Sequence, residues 1–68
     1  MLIRLDDIAL VDDLRTHYLR SAFRAESVGG CMIEVGRPGS SPDQEHREVM
    51  MHLRVWQVSH PESIAEIV

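Results

Sequence analysis

A single cysteine, Cys31, occurs in the 68 residues, so no intrachain disulfide can form. No CxxC pair and no Cys/His cluster offers zinc a ligand set either. Lysine is missing altogether. The seven basic residues are all arginine, are scattered, and are outnumbered by eleven acidic ones, for a net charge of −4. Binding a phosphate backbone requires concentrated positive charge, so no nucleic-acid partner is expected. No apolar run approaches the length of a membrane span, which argues against a membrane partner. The start, Met1-Leu2-Ile3-Arg4, lacks the basic region and apolar core of a signal peptide, so a cytoplasmic location, with the thiol reduced, is the expectation. Aromatic residues are scarce: Tyr18, Phe23 and Trp56 are the full set. A chain this short builds one small core worth a few kcal/mol, and usually adds disulfides, a metal or oligomerisation. With the first two lacking, oligomerisation remains.

What is present reads as six elements. Leu2 to Leu5 fits a short strand, and Asp6 or Asp7 can cap the helix that follows. From Ile8 to about Ser21 or Ala22, Leu10, Val11, Leu14, Tyr18 and Ala22 share one face of a helix, opposite Asp12, Asp13, Thr16 and Arg20. Phe23–Val28 and Cys31–Val35 alternate as strands around Gly29-Gly30, a hairpin signal in which both turn residues take φ > 0. Cys31, Ile33 and Val35 share one face of the second strand. After the loop Gly36–Ser40, a helix start is marked three times: Ser41 at the N-cap, Pro42 at the first helical position, and Gln44 placed to close a capping box. Pro61 ends that helix near His60. Ile64–Val68 closes the chain as a strand. The fold expected is α+β, a compact ferredoxin-like β-α-β-β-α-β domain spanning residues 1–68, its antiparallel sheet carrying both helices on one face.

The second helix carries two apolar stripes. At roughly 100° per residue, Val49, Leu53 and Trp56 line one stripe, with Met50 at its margin. Met51, Val55 and Val58 line a second on nearly the opposite side. Arg47 and Arg54 separate the stripes along one flank, and Glu48, His52 and Ser59 along the other. A surface helix normally needs one apolar face. Trp56, with its large apolar area, assigns the first stripe to the core with Leu14, Tyr18 and Ile33. Met51, Val55 and Val58 are then left for a symmetry mate, with Arg47 and Arg54 as a polar rim. The open sheet face, with Val28 and Met32, competes as an interface.

Candidate chemistry is thin. Glu48 and His52 are four apart on one helix face, yet His46 points elsewhere and His17 lies on the other helix, so no metal site is expected. His60 suits a helix C-cap. Cys31 reads as a small hydrophobe, and no nucleophile elbow surrounds any serine. Asp6, Asp7, Asp12 and Asp13 lack the spacing of a calcium loop and read as caps and solvated face. The loop before the second helix is the one candidate anion site: Arg37, Ser40 and Ser41, with the backbone amides of the helix start, can converge on a phosphate or carboxylate.

Leu53-Arg54-Val55-Trp56 followed by Ser59-His60-Pro61, together with Asp13-Leu14 through Leu19-Arg20, resembles small uncharacterised proteins of high-GC, actinobacterial-type bacteria. Their second helix similarly closes with Leu-Arg-x-Trp and His-Pro. The resemblance implies no activity, substrate or catalytic residue. The layout is also similar to ACT-like regulatory domains, although Asp6-Asp7 stands where those carry a glycine-bearing ligand loop. The function expected is a non-enzymatic homodimeric interaction or regulatory module without cofactors. Another protein as partner and a small anionic ligand at Arg37 are the alternatives.

Overall fold

The computed structural model describes residues 1–68. Its strands are β1 (Leu2–Leu5), β2 (Arg24–Gly29), β3 (Met32–Gly36) and β4 (Ala65–Ile67), and its helices are α1 (Val11–Arg20) and α2 (Pro42–Ser59). The fold is α+β. The four strands form one sheet in the order β2-β3-β1-β4, and every neighbouring pair is antiparallel. The hydrophobic residues alternate along the strands. Ile3, Leu5, Ala25, Ile33 and Val35 therefore point to one side and meet Val11, Leu14 and Tyr18 of α1 and Val49, Leu53 and Trp56 of α2, with Phe23, in one buried cluster.

Three local outcomes differ from the sequence reading. Ile8–Leu10 is a separate 3-10 turn, not the first turn of α1. Asp7 caps it by accepting from the Ala9 amide at 2.9 Å, while Asp6 accepts from the Ile64 amide at 3.0 Å and ties the start of β4 to β1. The hairpin turn sits one residue later than the glycine pair suggests. Gly29 and Gly30 do take φ of 114° and 55°, but Gly29 pairs with Met32 and Ser27 with Ile33. Val28 is thereby left as a bulge, and the turn is Gly30-Cys31. Finally, the capping box is half made. Ser41 Oγ accepts from the Gln44 amide at 3.2 Å, whereas the Gln44 side chain reaches forward to Glu48.

The end of α1 shows a device with no sequence signature. Ala22 sits at φ 65°, in the left-handed region. Its amide donates to the Leu19 carbonyl and that of Phe23 to the Tyr18 carbonyl, the paired bonds of a Schellman motif. Phe23 then packs edge-on against Tyr18, ring centroids 5.1 Å apart. Glycine is the usual residue there, because a Cβ strains this conformation. Ala22→Gly is therefore expected to raise stability by roughly 0.5–1 kcal/mol, the relieved strain exceeding the added chain entropy. Urea unfolding checks it; a lower midpoint would contradict the left-handed assignment.

Candidate functional site

The helices run antiparallel, so the first turn of α1 meets the last turn of α2. The Trp56 indole Nε1 donates to Asp13 Oδ1 at 2.8 Å. His60 stacks on the Trp56 ring at 4.1 Å, with its Nδ1 2.9 Å from the Trp56 carbonyl and its Nε2 3.4 Å from Asp13 Oδ1. A carbonyl only accepts, so Nδ1 carries a proton. His60 thus caps the helix as its position suggests, and also clamps the helix ends together. One turn further along α1, His17 Nε2 donates to the His52 carbonyl at 2.9 Å. Its place near the polar edge of α1 suggests simple solvation, but the fold uses it as a cross-brace. Deeper still, the Tyr18 hydroxyl donates to the Val49 carbonyl at 2.8 Å, and burial pushes its phenol well up, so it stays a donor. Neither His17 nor His60 is hydrogen-bonded to a nucleophilic side chain.

Between the helices, on the side away from the sheet, lies an open groove of about 570 Å³. Asp12, Asp13, Thr16 and Arg20 form its α1 wall, and Val55, Ser59 and His60 its α2 wall. A second depression of about 610 Å³ runs along the other flank of α2, lined by Met50 and edged by Met51, Arg47 and Arg54. Val55 borders both. The outer surface of α2 is thus a ridge with a furrow on either side. Met51, Val55 and Val58 form that ridge, with exposures of 56%, 59% and 81%. The inner stripe, Val49, Leu53 and Trp56, is buried. Arg47 and Arg54 are exposed, and no carboxylate of the chain pairs with either.

The residues considered for an anion are turned to internal work. The Arg37 guanidinium pairs with Glu48 at 2.9 Å, donates to the Ser21 carbonyl at 3.3 Å, and lies 4.9 Å over the Phe23 ring. Its backbone amide donates to Glu45 at 3.2 Å, and Ser41 is the N-cap. Ser40 is half-buried, and its amide donates to the Arg37 carbonyl. Glu45 and Glu48 thus set two carboxylates beside Arg37. Glu48, placed by sequence beside His52 as a ligand pair, is the counter-ion of Arg37. Cys31 lies in the hairpin turn, half-buried against the core.

His52 is packed against the Phe23 ring at 4.8 Å. Burial holds its imidazole below the ordinary 6.5, the charges of His17 and Arg37 lower it further, and Glu48 opposes them. The unfolded chain therefore takes up a proton at this site before the folded one does. Stability from this source is complete above about pH 6.5 and falls as the pH drops below it, until the folded imidazole is protonated too. Urea midpoints compared from pH 8 to pH 5 are expected to fall more steeply for wild type than for His52→Gln. Parallel curves would refute it.

No protein-family profile, curated protein or solved structure matches this chain. The helical face was legible from periodicity. The Asp13–Trp56–His60 clamp was not, since its partners are 43 residues apart and carry no local signature.

Proposed function

We propose that this protein is a non-enzymatic homodimeric interaction or regulatory module, and that its dimer forms through the outer face of α2. The observation that carries the reading is the ridge of Met51, Val55 and Val58, three apolar side chains at helical spacing that nothing in the chain covers. An isologous interface repeats one patch on both subunits, so the apolar ridge of one copy meets the same ridge on the other. Met50 in the furrow and Met51 on the ridge give adaptable apolar surface. Arg47 and Arg54 then form its polar rim. For the architecture we propose the compact ferredoxin-like arrangement. The sheet order β2-β3-β1-β4 and the single cluster joining both helices to one side of the sheet support it.

Light scattering across a concentration series tests the function. A species of twice the 7.8 kDa chain mass is expected. A strict monomer at high concentration would overturn the reading.

A further inference from the structure

Resting on that dimer reading, we propose that the second copy docks on the whole helical face, turned about a two-fold axis perpendicular to both helices, with Arg20 set against the partner's Asp12. Four observations lead there.

The first is area. A stable interface takes about 800 Å² from each partner. An 18-residue helix is only about 27 Å long and roughly 10 Å wide, so the α2 ridge alone falls well short. In a body of 31 × 24 × 22 Å, such an interface needs close to a full face.

The second is the choice of face. The open side of the sheet also exposes apolar residues, at Val28, Ile64 and Val68, but there Arg4 on β1 and Glu66 on the edge strand β4 already form an ion pair. On the helical face Asp12, Arg20, Arg47 and Arg54 have no ion-pair partner within the chain. The open sheet face carries unpaired charge as well, at Arg24 and Glu26, so what favours the helical face is its apolar ridge together with the placement of its charges.

The third is self-complementarity. Within α1 the acidic Asp12 stands in the first turn and Arg20 in the last. Both line the groove between the helices, about 12 Å apart along the axis. An antiparallel copy brings each against its opposite, making two pairs by symmetry.

The fourth is register. The midpoint of Asp12 and Arg20 falls at Thr16, beside His17, which is bonded across to the His52 carbonyl. On antiparallel α2, Thr16 is level with about Leu53. The midpoint of the ridge from Met51 to Val58 falls between Arg54 and Val55, roughly 2 Å further along; doubled by the two-fold, that offset is still less than one helical turn. Charge on α1 and apolar surface on α2 thus place the same axis independently. Arg54 then lies beside its own symmetry mate, the one like-charge approach that this axis creates.

A charge-exchange cycle followed by sedimentation equilibrium tests the docking, with circular dichroism confirming that each variant is folded. Asp12→Arg and Arg20→Asp alone are each expected to raise the dimer Kd at least about tenfold, because like charges meet twice across the axis. The double variant Asp12→Arg, Arg20→Asp restores opposite pairs and is expected to recover most of that loss. Arg54→Gln removes the like-charge approach and is expected to tighten the dimer. A dimer indifferent to the single changes, a double variant no better than the singles, or a dimer weakened by Arg54→Gln would overturn this arrangement while leaving the dimer reading standing. Monomeric wild type would overturn both. Should Asp12→Arg fail to fold, Asp12→Asn, which only removes the charge, is expected to weaken the dimer in the same direction, and unchanged Kd would count against the pair.

Discussion

A Met51→Glu, Val55→Glu double variant is expected to run as a monomer with the circular dichroism of the wild type. Both side chains are already more than half exposed, so within one chain the exchange moves glutamate into water. Glutamate is also a good helix former, and the outer face of α2 gives it no buried neighbour to disturb. In the dimer the same exchange desolvates two carboxylates from each subunit against apolar surface and against each other, far more than a small interface can offset. Association should be abolished. The thermal midpoint should also lose its dependence on protein concentration, since mass action no longer links folding to assembly. Loss of helical signal would contradict this, because it would show that the outer ridge is core. A variant that remained dimeric would move the interface to another face.

Trp56→Ala is expected to remove a large share of the stability of the fold at 25 °C. Truncating a buried tryptophan costs about 3–5 kcal/mol. A domain of this size holds roughly 3–10 kcal/mol in all. Trp56 is almost wholly buried, it abuts both α1 and the core, and its indole bond to Asp13 joins the start of one helix to the end of the other. Trp56→Phe separates the contributions. It keeps a ring in the cavity, forfeits the Nε1 donor, and leaves Asp13 half exposed to water that can replace the bond. A loss of only about 1–2 kcal/mol is expected for the phenylalanine variant. Urea unfolding of the three proteins gives the comparison. An alanine variant as stable as the phenylalanine one would show that the indole is not filling the core.

The buried stripe and the exposed ridge come from the same 18 residues. Ser41 and Pro42 open α2 and Pro61 closes it, because capping and proline geometry act within a few residues. The two stripes are also local, since a 3.6-residue period places each side chain on a face before any partner exists. Burial in the structure follows that placement, with Val49, Leu53 and Trp56 inside and Met51, Val55 and Val58 outside. The alternation of β3 likewise set Ile33 and Val35 toward the core.

Tertiary structure decided what periodicity cannot carry. A left-handed alanine ends α1 because Phe23 must turn back onto Tyr18, although no glycine announces it. The hairpin slips by one residue so that Ser27 meets Ile33 and Val28 bulges outward. Arg37, which in sequence stands free before a helix start, is drawn onto Glu48 and Phe23 once the loop folds over them. His17 finds the His52 carbonyl, and Trp56 finds Asp13, across 35 and 43 residues. Such pairings are fixed by where the helices come to rest on the sheet. Side-chain spacing within one element has no knowledge of that distance, so the sequence by itself determined the faces and the fold determined which residues meet.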